Sequence, residues 1–510
     1  MAASIERLYQ LLWNGPHVLA AEAFERRHSA NTLFWIGLSA FSFLWMLNFC
    51  LSNASVDIHF DLSEASVWAE QFAFGYKHPP MTAWLFSLWF SLFPRADWAA
   101  YVLAVTTVTV TLAITWILLR DYLDKERALV GLAALMMVPL FTFLASRLNA
   151  NTVIMPFWVA AQLFYLRARR DLKMSDAVLA GVFVGLAFLG KYWAIYLAAG
   201  MAITSLLGSG TRRFWRSPAP YLMGLSASLI VAPHVYWFIT DCGQATQDFM
   251  ADSVMVAQSF GTALLGSISY LAGSVAYVAV PLLYLIILQP SKAAVADILW
   301  PRDKDRQQAY LFFLLPLVLP ALANMVFPHR LTALWTFPDW ALLPIVLFGS
   351  PLIRIYPVGA ARAGLVALSV SAAAVLAAPY VAYFRVTSKA EMHERHYWQV
   401  AQEVLRLSNS PQSIAGTREI VQGLFFYLPQ ARPIQTRLLS DSAALSGVRA
   451  TSEVVIVCSG ADEPCRSSSS ALASLADRRA TFAFTRTFFG FTAPSATYSV
   501  TVLPQDGTNK

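Results

Sequence analysis

Residues 32–51 read T-L-F-W-I-G-L-S-A-F-S-F-L-W-M-L-N-F-C-L, and residues 57–80 read D-I-H-F-D-L-S-E-A-S-V-W-A-E-Q-F-A-F-G-Y-K-H-P-P. The first run is long enough to cross a bilayer, which takes about 20 residues at helical rise. The second sets four carboxylates, two histidines and a lysine just beyond that crossing. Charge at a membrane exit costs free energy unless it is solvated, paired or used. The cluster therefore reads as an active site facing the far side of the membrane.

The whole chain supports this setting. Of its 510 residues, 57% are hydrophobic and only 13% charged, against about 25% charged in an ordinary soluble protein. The chain reads as a polytopic, α-helical membrane protein. Its net charge of +7 does not indicate nucleic acid, because the Lys and Arg stand in short clusters between apolar spans rather than in one basic stripe. Cys50, Cys242, Cys458 and Cys465 are too few for a disulfide scaffold and form no CxxC pair with metal spacing.

Upstream, residues 1–31 lack the apolar core and small-residue cleavage site of a signal peptide and read as a cytoplasmic or interfacial helix. Downstream, apolar spans recur at roughly 98–119, 128–145, 152–166, 176–190, 192–208, 219–239, 262–288, 309–327, 340–352 and 364–384, which with the first makes about 11 crossings. The basic clusters Arg120/Lys125/Arg127, Arg167/Arg169/Arg170/Lys173, Arg212/Arg213/Arg216, Lys292/Arg302/Lys304/Arg306 and Arg354/Arg362 all fall on one parity of loops, together with the N-terminus. By the positive-inside rule that side is cytoplasmic. The opposite loops carry few cations: Lys77, Arg95, Arg147, Lys191 and Arg330.

Hydropathy falls after residue 385, and residues 386–510 mix helix-like text with short β-branched runs, as expected of a small α/β domain on the exported side. Cys458 and Cys465 would form a disulfide in that oxidising compartment, and residues 467–470, four serines, read as a flexible loop. The expected organisation is thus an N-terminal helix (1–31), a transmembrane domain (32–385) whose first exported loop spans 53–97, and a C-terminal domain (386–510).

Within that first loop, aromatic and apolar residues at helical intervals predict one or two interfacial amphipathic helices. Asp61 and Glu64, three apart, would share a helix face, and His78-Pro79-Pro80 would form a rigid extended turn. A carboxylate here can act as general base on an alcohol. The competing reading is an N-cap, with Asp57 or Asp61 starting the loop helix; Asp57 and Glu70 are assigned to solvation.

Arg147 in S-R-L-N-A-N and Lys191 in L-G-K-Y-W stand at exported span ends, where each could bind a lipid phosphate or merely snorkel to the headgroups. His234, His329 and Arg330 are further polar groups on that side, for which a structural role competes. No phosphate-binding Gly-rich loop, GxSxG elbow or HExxH is present.

The ordered set D-L-S-E, G-Y-K-H-P-P-M-T-A-W-L, R-L-N-A-N-T-V-I-M-P-F-W, G-K-Y-W-A-I-Y-L and A-P-H-V-Y-W resembles the glycosyltransferase family 39 group, bacterial relatives of the protein O-mannosyltransferases in the GT-C superfamily. Where many members carry an Asp-Glu pair, this chain has Asp61 and Glu64 separated by two residues; Asp61 is the favoured base and Glu64 the alternative. The resemblance implies sugar transfer from a polyprenyl-phosphate donor to an acceptor on the exported side of a bacterial inner membrane, with the C-terminal domain periplasmic. The acceptor class it implies is lipopolysaccharide core or lipid A, another glycolipid, or protein. Asp61 would deprotonate the acceptor, while Lys191 and Arg147, with Lys77 or His78, would neutralise the departing phosphate, inverting the anomeric carbon. No cofactor is required, although the carboxylates would admit a divalent metal. The alternative function is a lipid-linked sugar flippase or transporter, which should carry ionisable or helix-breaking residues near the bilayer midplane.

Overall fold

The computed structural model describes residues 15–70, 74–75, 78–208, 210–240, 244–255, 258–388, 394–408, 410–435 and 442–506. Its principal helices are α1 (Pro16–Arg27), α2 (Ala30–Ser52), α3 (Phe60–Ala69), α4 (Met81–Leu92), α5 (Asp97–Arg120), α6 (Lys125–Leu135), α7 (Ala150–Asp171), α8 (Met174–Gly190), α9 (Ile195–Leu206), α10 (Ala219–Thr240), α11 (Phe260–Tyr277), α12 (Ala279–Ile287), α13 (Lys304–Val326) and α14 (Pro357–Ser388). The C-terminal part adds α15 (Tyr397–Leu407), β1 (Ser413–Gly416), α16 (Arg418–Tyr427), β2 (Arg432–Gln435), α17 (Ser442–Arg449), β3 (Val454–Ser459), α18 (Glu463–Ala471), β4 (Arg478–Phe484), β5 (Thr487–Phe488), β6 (Phe491–Thr492) and β7 (Ala496–Leu503).

Among the described residues, α2, α5, α10, α13 and α14 are each long and apolar enough to cross a membrane, and the pair α11 and α12, bent by 59°, makes a sixth if taken as one span. Of the other apolar stretches, residues 152–166 lie within the 22-residue α7, and the rest fold as shorter or broken helices. Residues 128–145 become α6 and two 3-10 turns, divided at Pro139; residues 192–208 become a 3-10 turn and the 12-residue α9. Hydropathy is a running average and does not register such breaks.

The chain divides into two compact units, and it passes from one to the other within α2, α4, α5 and α14 and just ahead of Phe74. The first unit comprises Met1–Trp45, Phe74–Thr82 and Ala104–Ala373. Here α8 packs against both α7 and α10. The G-V-F-V-G run on α8 makes the second contact: a Cβ on Gly181 would lie 2.1 Å from the Met223 carbonyl oxygen, and one on Gly185 would lie 2.9 Å from Ile230. Small residues four apart let two apolar helices approach closely where lipid offers no hydrophobic drive to associate. Lys125, at the start of α6, forms a 2.7 Å ion pair with the buried Glu25 of α1.

The second unit comprises Met46–Ala73, Ala83–Leu103 and Ala374–Lys510. Its centre is a five-stranded sheet in the order β2-β1-β3-β7-β4, with β1 parallel to β2 and β3, and β7 antiparallel to β3 and β4. The alternating residues of β3 explain its two covered faces. Val455 and Val457 join Val400, Val404 and Leu424 of α15 and α16 on one side. Val454, Ile456 and Cys458 join Leu445 and Cys465 of α17 and α18 on the other.

The expected disulfide between Cys458 and Cys465 is formed and ties the end of β3 to α18. Residues 467–470, expected as a flexible loop, lie instead within α18, which the Asp462 N-cap and Pro464 in its first turn start. Ser469 is buried and bonds Thr501 at 3.0 Å, so the serine run is partly a packed helix face. The one or two helices expected in the first exported loop are two, α3 and α4.

Candidate functional site

In the second unit, the carboxylates of the opening cluster have separate environments. Helix α3 starts at His59, whose Nδ1 accepts the Asp61 N–H at 3.2 Å, so the N-cap is His59 and not Asp57 or Asp61. Asp61 sits in the first turn, where a negative charge suits the helix dipole. Its side chain is 35% exposed, with Oδ2 3.7 Å from His59 Nδ1. One turn later, Glu64 is 9% exposed and ion-paired with Arg418 of α16. The Arg418 guanidinium also lies 5.3 Å from the Phe60 ring centroid. The i, i+3 spacing thus gives two carboxylates of different kind, one accessible and one enclosed.

Asp57 and Glu70 are not simply solvated. Asp57 is buried; it accepts the Trp398 N–H at 3.0 Å and pairs with Arg486, while Glu70 pairs with Arg95. Removing charge from water requires such partners, and here they come from residues 341 and 429 positions away for Asp57. Tyr427 donates a hydrogen bond to Asp97. Burial, and then the nearby carboxylates of Asp57 and Asp97, pushes the Tyr427 phenol well above its ordinary pKa, which keeps it a donor.

In the first unit, Lys191 follows the last residue of α8. A Cβ on Gly190 would lie 2.3 Å from Ile154, so only glycine lets the end of α8 approach α7 this closely. The approach delivers Lys191 Nζ to Asn151 Oδ1 at 2.6 Å. Asn151 is itself fixed, its backbone N–H donating to Asn149, the N-cap of α7, at 3.0 Å. On its other side the ammonium lies 4.3 Å from the Trp335 ring centroid and 5.7 Å from that of Trp193, distances at which a cation is attracted to an aromatic face. Lys191 is therefore oriented by named partners, which a snorkelling lysine need not be.

His234 is buried on α10 directly after Pro233; its Nδ1 lies 2.6 Å from the Phe74 carbonyl oxygen and its Nε2 lies 3.0 Å from the Tyr192 hydroxyl. These bonds tie the residue after Lys191 to the backbone ahead of Gly75. Arg147 is exposed at the end of a 3-10 turn, just before Leu148 at φ 28°. His329 bonds the Phe327 carbonyl at 2.7 Å, and Arg330 is exposed with its backbone N–H on Val254. His78 is half-buried ahead of Pro79, and Lys77 lies outside the described residues.

The structure thus brings Lys191, Asn151 and Trp335 together, links His234 to Tyr192, and sets Asp61 beside His59 and Glu64 against Arg418. Asn151, Trp335 and Arg418 are partners that the sequence did not single out for these positions. Asp339 is completely buried, and neither of its carboxylate oxygens has a hydrogen-bond partner among the described residues. Among the described residues no group of three or more His, Cys, Asp or Glu side chains could hold a metal ion.

Residues 77–237 match the family model of dolichyl-phosphate-mannose-protein mannosyltransferase, a segment that contains Arg147, Lys191 and His234 and begins after Asp61 and Glu64. No match was found among the curated proteins by sequence. The fold is similar to that of ArnT from Cupriavidus metallidurans in the apo state, with a TM-score of 0.62 and 13% identity, over 92% of this chain and 98% of that one. The crystal structure of the same protein bound to undecaprenyl phosphate gives a TM-score of 0.59 at 13% identity, over 91% of this chain and 98% of that one. The fold is the one shared with ArnT. The family match is to a mannosyltransferase model over residues 77–237, and the fold shared with ArnT joins several apolar helices long enough to cross a membrane to a small C-terminal sheet domain.

Proposed function

We propose that the chain transfers a sugar from a polyprenyl-phosphate-linked donor to an acceptor in the bacterial cell envelope, on the exported face of the inner membrane. The observation that carries this reading is the setting of Lys191, a cation fixed between Asn151 and two indoles inside the segment that matches the mannosyltransferase model. The likeness of fold to a protein crystallised with undecaprenyl phosphate supports the same donor class.

In this reading Asp61, the accessible carboxylate of α3, takes the proton of the acceptor hydroxyl as its oxygen attacks the anomeric carbon. The bond from that carbon to the phosphate oxygen breaks, and the electron pair leaves with the polyprenyl phosphate. Lys191 balances the charge gathering on that phosphate, where a pre-oriented donor lowers the barrier most. Arg147, exposed near Asn149 and Asn151 in sequence, is a second candidate for the phosphate, as are Lys77 and His78. Attack opposite the leaving group inverts the anomeric centre. Glu64, held by Arg418, positions α3.

The transporter reading has no comparable support, since the family match is to a mannosyltransferase model. A deletion strain is expected to lose one sugar-bearing species from its lipopolysaccharide, glycolipid or glycoprotein mass profile and to accumulate the lipid-linked sugar. Unchanged profiles for all three would remove the proposed transfer.

The proposed orientation puts the C-terminal domain in the periplasm. A periplasm-active reporter fused after Ala390 should be active and one fused after Arg306 silent, since the Lys/Arg bias sets these points on opposite sides. Two reporters behaving alike, or the reverse pattern, would overturn the orientation.

A further inference from the structure

The C-terminal sheet has a place where its connections part. From β1 the chain passes through α16 to β2 on one side, and from β3 it passes through α18 to β4 at the opposite edge, although β1 and β3 are adjacent and parallel. In open α/β sheets, ligands bind outside the carboxyl ends of strands where the connections diverge in this way. A cavity of about 440 Å³ occupies that place, with Glu394, Arg418, Glu419, Ser459, Asp462 and Tyr498 among its walls. This lies within the size range of small-molecule sites, about 300–1,000 Å³.

Buried polar atoms in its lining are left unsatisfied. Tyr498 is 1% exposed, and its hydroxyl has only a poorly aligned approach to the His396 backbone, with no hydrogen bond of good geometry among the described residues. Asp462 caps α18 through Oδ1, which accepts the Cys465 N–H at 3.1 Å, while its buried Oδ2 has no partner among them. Thr417, the N-cap of α16, makes no side-chain capping bond to the first-turn N–H groups. Buried polar groups ordinarily have partners, and leaving them unmade costs free energy. A polar ligand would supply them.

The chemistry of the lining selects the class of ligand. Glu394, Glu419 and Asp462 face one cation, Arg418, a balance that disfavours phosphate or any other anion. Carboxylates accept from hydroxyl or ammonium groups, the Tyr498 hydroxyl and Arg418 can donate to ring or hydroxyl oxygens, and Tyr397 adds an aromatic wall. We propose that this crevice is a saccharide-binding site, taking a neutral or amino-bearing sugar unit. The proposal does not depend on the transfer reaction above.

The test uses the full-length protein in lipid nanodiscs and the probes glucose, mannose, galactose, N-acetylglucosamine and glucosamine, with inorganic phosphate as the anion. Binding is read by saturation-transfer NMR and calorimetry. Glu419→Gln removes one exposed carboxylate charge, and Tyr498→Phe removes only a hydroxyl that makes no well-aligned hydrogen bond, so both should unfold at the parent temperature; Arg418 is left unaltered because it also holds Glu64. At least one sugar should bind in preference to phosphate, survive Asp61→Asn, and weaken about 10-fold or more in the double variant Glu419→Gln/Tyr498→Phe. The proposal is overturned if no sugar binds, if phosphate binds better than every sugar, or if the crevice variants bind as the parent does. It also falls if Asp61→Asn alone abolishes binding, which would put the sugar at the transfer site.

Discussion

Asp61→Asn should lower sugar transfer by about 100-fold or more, the usual contribution of a positioned general base, while the protein still inserts and binds lipid-linked donor. Asparagine keeps the size of the side chain and its hydrogen bonding but cannot take up the acceptor proton. The environments of the two carboxylates on α3 make this a discriminating experiment. Asp61 is a third exposed beside His59, whereas Glu64 is enclosed and paired with Arg418. Glu64→Gln should therefore act by loosening α3 from α16, and Arg418→Ala, which breaks the same contact, should give a similar loss. Near-normal transfer by Asp61→Asn alongside an inactive Glu64→Gln and an active Arg418→Ala would move the base to Glu64. Near-normal transfer by the double variant Asp61→Asn/Glu64→Gln would remove the general base from this helix altogether.

Lys191→Ala should fail differently, weakening donor binding as well as turnover. A contact to phosphate is present in both ground and transition states, and only its strengthening in the transition state raises kcat. Losing a charge-assisted hydrogen bond costs about 1.5–3 kcal/mol, so kcat/KM for the donor should fall by about 10- to 100-fold. Asn151→Ala should cause a smaller loss in the same direction, because it leaves the ammonium in place without the 2.6 Å bond that aims it. Steady-state kinetics with varied donor, in reconstituted membranes, separates the two effects. An unchanged donor KM together with an unchanged kcat in Lys191→Ala would exclude the lysine from the donor site.

The sequence made the apolar stretches and the carboxylate helix visible because both rest on local pattern. Spacing over a few residues is enough to announce α3 and α4, and the β-branched run at residues 453–457 announces β3. It concealed two things. The helix break at Pro139 leaves hydropathy almost untouched, so the stretch 128–145, which read as a full crossing, folds as shorter pieces, whereas the break at Gly190-Lys191 was legible as a span end. Charge pairing over long sequence separations leaves no local trace: Asp57 meets Arg486 and Glu64 meets Arg418 only once the C-terminal sheet has formed. For that reason Asp57 looked solvated from its neighbours alone, and Glu64 stood as the alternative base to Asp61. The serine run at 467–470 misled in the same way, since the Asp462 cap and the Thr501 contact, not the serines' intrinsic preference, hold it helical.

The claim that this chain breaks a sugar–phosphate bond is tested most directly by following the lipid product. Purified protein is reconstituted with the total membrane lipid of a deletion strain, and undecaprenyl phosphate and its sugar-linked form are quantified by mass spectrometry over time. The wild-type protein should convert lipid-linked sugar to undecaprenyl phosphate in step with the appearance of a glycosylated envelope acceptor, and Asp61→Asn should slow both together. Movement of intact lipid-linked sugar across the bilayer, with no undecaprenyl phosphate formed, would contradict the account and make the chain a transporter.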